Sequence, residues 1–196
     1  TKICNSTSNL ISMKVDGVPT NIKNNSYYTF DSLGEHFVEF NLKGTAVPNN
    51  AFDGCTDMQY VEFEDGITTI GNKAFTGCYG LQGSVVIPDS VTSIGNEAFN
   101  SCYGITGLTL GNNLVTIGDY AFNGCNKISG ELVIPDSVTS IGQYAFRYLY
   151  RISSLYLGKN LKNIGAYAFY NCKYMTAIDI PNTVDVIGTG AFYKCI

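Results

Sequence analysis

Tryptophan is absent from this chain, and histidine occurs once, at His36. A Ser-His-Asp or Cys-His catalytic arrangement would have to be built around that single histidine, and no G-x-S-x-G nucleophile motif accompanies it. We therefore expect a protein that is not an enzyme and that needs no cofactor. An enzyme remains the less favoured alternative, and it would require a polar pocket that contains titratable groups.

Charge is also scarce, since only 14% of the residues are charged and 12 of these are basic against 16 acidic. Nucleic-acid binding requires a stripe of Lys and Arg, so nucleic acid is excluded as a partner. Residues 1–98 carry 5 basic and 11 acidic residues, whereas residues 99–196 carry 7 and 5. This change of sign is either drift on a solvated surface or a basis for charge-steered docking. Glu62, Glu64 and Asp65 cluster without the spacing of a calcium loop, so no metal site is predicted.

Long apolar runs are missing as well. No stretch approaches the roughly 20 apolar residues of a membrane-spanning helix, and no signal-peptide pattern opens the chain. The sequence begins at Thr1 and stops at Cys195-Ile196 within a repeat. We expect that a leader has been removed or that the sequence belongs to a longer protein. Both possibilities fit an extracellular or cell-surface location.

An Ala-Phe pair, in contrast, recurs seven times at steps of 23 or 24 residues. Such a period predicts a solenoid, because each unit can bury its apolar face only by stacking on its neighbours. The solenoid should cover residues 47–196 in about six to seven coils, with the phenylalanines in the middle of the core. These residues are Phe52, Phe75, Phe99, Phe122, Phe146, Phe169 and Phe192.

Each coil also contains a period-two apolar run that predicts a short strand. The runs lie at 61–63, 85–87, 108–110, 132–134, 155–157 and 178–180. Because successive coils run in the same direction, we expect one curved parallel sheet. A second apolar segment ends in Ile-Gly, where the glycine indicates either a positive φ or a close approach between coils. The Ala-Phe-x-x-Cys stretch is expected to form one helical turn, which makes the fold class α/β with β structure dominant.

Two local irregularities can be predicted. The 24-residue coils carry an extra residue near Gly83-Ser84 and Gly130-Glu131, which predicts a small bulge in alternate coils. Residues 1–46 lack the repeat and show alternating segments at 11–15, 27–30 and 36–42. We interpret these segments as three antiparallel strands that cap the first coil, whose apolar end and sheet edge would otherwise be exposed.

Seven cysteines are present without C-x-x-C spacing, which argues against a zinc site. Six of them lie three residues after a repeated phenylalanine, and Leu149 takes this position in the remaining coil. A position that accepts both Cys and Leu is a small apolar slot, so we predict a column of buried thiols. Neighbouring coils are also close enough for chance disulfide formation. The members of the column are Cys55, Cys78, Cys102, Cys125, Cys172 and Cys195.

The repeated pattern Ile-Pro-Asp-Ser-Val-Thr-Ser-Ile-Gly-x-x-Ala-Phe-x-x-Cys resembles the BspA-like leucine-rich repeats, which are abundant in bacterial and protozoan surface proteins. The resemblance covers about residues 47–196. It implies a leucine-rich-repeat solenoid that is extracellular, non-enzymatic and used in adhesion or in binding host proteins. The partner would be a protein or glycan on a host or neighbouring cell, and the resemblance does not identify it.

Two surfaces of the predicted solenoid are candidates for partner binding. The first is a row that alternates with the inward positions of the strands, on the face that usually binds ligands in solenoids. Its members are Glu62, Val86, Thr109, Val133, Tyr156 and Asp179. The second is a tyrosine face that offers rigid amphipathic area for protein or glycan recognition. Its members are Tyr120, Tyr144 and Tyr167, flanked by Tyr148, Tyr150 and Tyr170.

Two interpretations of these surfaces stay open. The tyrosines either bind a partner or only pack side by side over the solenoid surface. The chain as a whole is predicted to be a secreted or cell-surface binding module, and the main alternative is a structural spacer that holds another domain away from the cell.

Overall fold

The structure is a computed structural model that describes residues 10–20, 38–42, 44–176 and 178–195. Strands β1 (Leu10–Val15), β2 (Val18–Thr20) and β3 (Val38–Leu42) form an antiparallel sheet in the order β2-β1-β3. Asp16 and Gly17 join β1 to β2 with φ angles of 51° and 78°, the conformation of a two-residue hairpin turn. The predicted strands at 11–15 and 36–42 are confirmed in position, β2 was missed, and segment 27–30 and His36 lie outside the described residues. That this sheet caps the first coil stays a prediction.

The repeats form a β-solenoid whose main sheet consists of seven parallel two-residue strands. In chain order these are β4 (Ala46–Val47), β5 (Thr69–Ile70), β7 (Ser93–Ile94), β9 (Thr116–Ile117), β11 (Ser140–Ile141), β13 (Asn163–Ile164) and β14 (Val186–Ile187). Each pairs with its equivalent one coil away, as in Ile94 with Ile117. The continuous sheet is thus formed by the Ile-Gly segments, which the sequence analysis did not assign as strands.

The period-two runs form two separate two-stranded parallel sheets, so the prediction that they form one continuous sheet is wrong. The strands are β6 (Gln82–Val86) with β8 (Gly104–Thr109), and β10 (Ser129–Val133) with β12 (Arg151–Tyr156). Both ladders shift register at the predicted places, between Gly83 and Ser84 and between Gly130 and Glu131. In each ladder the unpaired residue lies on the later strand, at Thr106 in β8 and at Ser153 in β12. Residues 61–63 form no strand, and Ile178 makes a single bridge to Leu155.

The core is a set of columns that run along the solenoid, numbered here as coils 1 to 7 from Phe52 to Phe192. Neighbouring phenylalanine rings stack with centroids 5.0 to 5.5 Å apart and interplanar angles of at most 15°. The alanine before each phenylalanine is buried in every coil. The predicted registry of the repeats is therefore confirmed.

The Ala-Phe-x-x-Cys stretches are turns, and no helix is present in the part of the chain that the structure describes. Successive backbone N–H groups of this stretch donate alternately to the next coil and to their own coil. The N–H of Phe75 donates to Ala98 O of the next coil at 2.7 Å, whereas the N–H of Ala74 donates back to Gly71 O at 3.3 Å. A helix would require all of these amides to bond within their own turn, so hydrogen bonding between coils displaces the predicted helical turn.

The repeated glycine after Ile is required by close packing. In Gly142 an added Cβ would lie 2.5 Å from Asp119 N of the preceding coil, and in Gly95 it would lie 2.6 Å from Asn72 N. Neither glycine has a positive φ. The close-approach alternative is therefore correct for this column.

A ladder of side chains that the sequence analysis missed follows the glycines. Asn72 Oδ1 accepts a hydrogen bond from Asn96 N at 2.7 Å, and Asp119 Oδ1 accepts one from Gln143 N at 2.8 Å. The recurring Asn or Asp immediately after Ile-Gly was the available signal. The acceptors in this ladder are Asn49, Asn72, Asn96 and Asp119.

Candidate binding surface

Three tyrosines stack along the solenoid two residues before the core phenylalanine. The ring centroids of Tyr120 and Tyr144 are 4.8 Å apart, and those of Tyr144 and Tyr167 are 5.1 Å apart. All three rings are half-buried. The side-by-side packing is therefore real, and it leaves part of each side chain exposed to solvent. Packing and partner binding are compatible at this surface.

The backbone beneath these tyrosines is held in a rare conformation. Their φ angles lie between 54° and 56°, in the left-handed region that costs a non-glycine residue about 1–2 kcal/mol. Each peptide N–H donates to a carbonyl of the next coil, as Tyr144 does to Ala166 O at 2.9 Å. Such a conformation persists only where the surroundings determine it strongly, so the ring positions are set by the solenoid backbone.

Arg147 is the centre of the surface, although the sequence analysis did not select it. Its guanidinium carbon lies 4.2 Å from the ring centroid of Tyr148, 5.2 Å from that of Tyr144 and 5.4 Å from that of Tyr170. One terminal nitrogen, Nη2, donates to the hydroxyl of Tyr148. The available signal was a basic residue directly after phenylalanine, where the two preceding coils have Asn100 and Asn123.

The flanking residues extend this cluster towards coil 7. Tyr170 contacts Tyr148 and Tyr167 edge to face, with centroids 5.6 and 5.9 Å apart. Burial raises the pKa of Tyr150, and the neighbouring Tyr148 adds to the shift. We call the whole cluster the tyrosine edge. It consists of Tyr120, Tyr144, Arg147, Tyr148, Tyr150, Tyr167, Tyr170, Lys173, Tyr193 and Lys194.

The second predicted surface, on the strand face, is a separate row. All of its members are exposed, including the predicted binding residues Glu62, Thr109, Tyr156 and Asp179. Among the described residues no ring contact joins Tyr156 to the tyrosine edge; its hydroxyl donates to Asp136 Oδ1 at 2.9 Å instead. The backbone N–H of Lys159 donates to the same oxygen, and together these bonds hold the pKa of Asp136 below its usual value.

A shallow groove of about 260 Å³ lies next to this row. Its lining includes Leu155, Tyr156, Asp179 and Pro181. Within the described ranges, no three His, Cys, Asp or Glu side chains come together as metal ligands would. The groove is open, and no buried polar side chain defines a ligand in it.

The predicted thiol column is confirmed as buried at all six positions. The thiol of Cys102 donates to Phe75 O at 3.1 Å, and that of Cys125 to Phe99 O at 3.2 Å. Burial raises the pKa of Cys125 to about 12, because the thiolate would lose its hydration. Cys102 and Cys125 therefore fill core space and lack the exposure and low pKa of a nucleophile.

Comparison with known proteins agrees with this architecture. The family described as the BspA type leucine-rich repeat region matches the chain in three overlapping ranges, at residues 2–82, 20–148 and 81–196. The chain belongs to this family. Within the described part of the chain, the structure contains no helix of the length and hydrophobicity needed to span a membrane. Among curated proteins, none matches the chain significantly.

Solved structures of bacterial leucine-rich repeat proteins share the fold. The leucine-rich repeat protein of T. pallidum is 30% identical with a TM-score of 0.72, over 79% of this chain and 71% of that protein. A leucine-rich repeat protein of Bacteroides ovatus is 23% identical with a TM-score of 0.62, over 85% of this chain and 43% of that protein. One from Eubacterium ventriosum is 24% identical with a TM-score of 0.59. This chain spans less than half of the latter two proteins.

Proposed function

We propose that this chain is a non-enzymatic binding or adhesion module that acts at the cell surface or in the extracellular space. It binds a protein or glycan on a host or neighbouring cell through surfaces that are already formed in the free solenoid. Membership of a leucine-rich repeat family supports this proposal, because repeats of this kind commonly present extended binding surfaces. The division into a cap at 1–46 and a solenoid at 47–196 is part of the same proposal.

The observation that carries the proposal is the preformed tyrosine edge. Stacked rings on a backbone held by hydrogen bonds between coils lose little conformational entropy when a partner binds. Tyrosine and arginine are also the residues most enriched at the energetic centres of protein interfaces. Here Arg147 lies against three tyrosine rings.

The experiment compares two pairs of stacked tyrosines on the same solenoid. The chain is immobilised and exposed to extracellular-matrix or mucosal extract, and the retained components are identified and their affinities measured. Substitution of both Tyr144 and Tyr167 by Ala should weaken binding of a specific component by about tenfold or more, as expected for central interface residues. The matched control is the same double substitution at Tyr79 and Tyr103, which stack at 5.3 Å in coils 2 and 3, outside the tyrosine edge.

Two results would contradict the proposal. Unchanged affinity of the Tyr144 and Tyr167 variant would exclude the tyrosine edge as the binding surface. Retention of no component above an unrelated solenoid would favour the alternative of a structural spacer. Thermal unfolding of each variant shows that the fold is retained before binding is compared.

A further inference from the structure

The turn edge of the solenoid changes its charge along the coils. In each coil this edge runs from two residues before the core phenylalanine to five after it. Coils 1 to 3 carry three acidic residues and one basic residue there, namely Asp53, Asp57, Glu97 and Lys73. Coils 4 to 7 carry no acidic residue and five basic ones, namely Lys127, Arg147, Arg151, Lys173 and Lys194.

The basic residues of the tyrosine edge lie against aromatic rings. Lys173 Nζ lies 5.5 Å from the ring centroid of Tyr150, and Lys194 Nζ lies 5.6 Å from that of Tyr193. Among the described residues, ion pairs join Lys73 to Glu97 and Lys159 to Asp136, and neither pair includes a residue of the tyrosine edge. A ring attracts a cation without neutralising it, so the tyrosine edge keeps a net positive charge.

The geometry of the rings bears on the class of the ligand. Tyr144 is stacked on both faces, against Tyr120 at 4.8 Å and against Tyr167 at 5.1 Å, and together with Tyr148 and Tyr170 it also surrounds Arg147. Stacking on a sugar would need free ring faces. Ring edges, hydroxyl groups and the exposed cations of Lys173 and Lys194 suit carboxylates and peptide carbonyls.

We propose that the tyrosine edge of coils 4 to 7 binds an acidic segment of a protein partner. Carboxylates of the segment pair with Arg147, Lys173 and Lys194, and its backbone accepts hydrogen bonds from the tyrosine hydroxyls. This inference rests on the proposed binding function and specifies the chemistry of the partner. The positive edge would also accelerate association with such a segment at low salt.

The test uses the complete chain and a fluorescein-labelled peptide of ten glutamates, with binding followed by fluorescence anisotropy at low and high NaCl. We expect binding that weakens as salt is added. The double variant K173Q/K194Q should bind about threefold to tenfold more weakly, since each exposed charge pair contributes a small factor. The matched control K159Q/K162Q removes the same charge from exposed lysines outside the edge and should change affinity less than about twofold.

A second probe separates a peptide ligand from an acidic glycan. An oligogalacturonate of ten units carries one carboxylate for each glutamate side chain of the peptide, on a sugar backbone. Tighter binding of this probe than of the glutamate peptide would overturn the proposal, and so would equal effects of the two double variants. Failure of the glutamate peptide to bind would overturn this inference alone, because retention of extract components by the tyrosine edge is measured independently.

Discussion

The phenylalanine column allows the contribution of stacking to be measured at its centre and at its end. Phe122 is completely buried between Phe99 and Phe146, with centroids 5.2 and 5.5 Å away. Phe192 is half-buried, and among the described rings it stacks only on Phe169, at 5.3 Å. The two positions have the same repeat context but differ in burial and in the number of ring neighbours.

Substitution by leucine isolates stacking, because leucine retains most of the apolar volume. Each aromatic pair contributes about 0.5–1.5 kcal/mol beyond its burial, so Phe122→Leu should cost about 1–3 kcal/mol and Phe192→Leu about half of that. Phe122→Ala also leaves a cavity and should cost about 3–5 kcal/mol, a large share of the 5–15 kcal/mol that stabilises a typical domain.

The assay is urea unfolding of each variant, followed by circular dichroism and analysed by linear extrapolation. An unchanged slope indicates that the variant unfolds as the parent does, which matters because repeat proteins can unfold in parts. Equal losses of stability for Phe122→Leu and Phe192→Leu would refute the reasoning. A ring stacked on both faces would then contribute no more to the free energy of unfolding than a ring stacked on one face.

Three further predictions concern the contacts between coils. Gly142→Ala should lower the free energy of unfolding by about 3 kcal/mol, because the added methyl group would overlap the backbone of Asp119. Gly130→Ala should lower it by about 1 kcal/mol, because Gly130 has a φ of +83° but no atom within 4 Å of an added Cβ. Equal shifts of the melting temperature in the two variants would contradict this difference. Asp119→Ala removes the acceptor of the Gln143 amide and should speed its hydrogen exchange, and an unchanged rate would exclude the bond. Because the pKa of the Cys125 thiol is about 12 in the fold and about 8.5 when unfolded, its contribution to the free energy of unfolding should fall as pH rises above about 8.5. Urea unfolding at pH 7 and at pH 10 should therefore show that the free energy of unfolding falls less between these two pH values in Cys125→Ala than in the parent. An equal fall in both proteins would exclude this thiol as its cause.

The repeat allowed the core to be predicted from the sequence because equivalent residues of stacked coils must form columns. The phenylalanine and cysteine columns follow from spacing alone, since a residue that recurs every 23 or 24 positions occupies the same place in each coil. The register shifts next to Gly83 and Gly130 lie where the 24-residue coils carry their extra residue, so their place was predictable, although the unpaired residues are Thr106 and Ser153 of the partner strands. Alternation at residues 11–15 was likewise sufficient to predict β1.

The identity of the continuous sheet could not be predicted in this way. Periodicity indicates which residues are buried, but it does not show which peptide groups pair between coils. The strands of this sheet are only two residues long, such as Thr69–Ile70 and Ser93–Ile94, and are too short for a periodic pattern to be recognised. The same limit explains the Ala-Phe turns, where amides that bond to the next coil replace the predicted helical turn.

The sequence by itself determined that this chain is a solenoid of stacked coils, that its core is made of phenylalanine, alanine and thiol columns, and that tyrosines recur at one position of coils 4 to 6. Only the tertiary structure placed Arg147 among Tyr144, Tyr148 and Tyr170 and gathered the lysines of coils 6 and 7 on the same edge. The physical reason is that spacing aligns equivalent positions, such as Arg147 with Tyr170, but does not show that Arg147 also contacts Tyr144 and Tyr148 at other positions of its own coil. Such neighbours are set by the backbone directions and side-chain conformations of the folded chain.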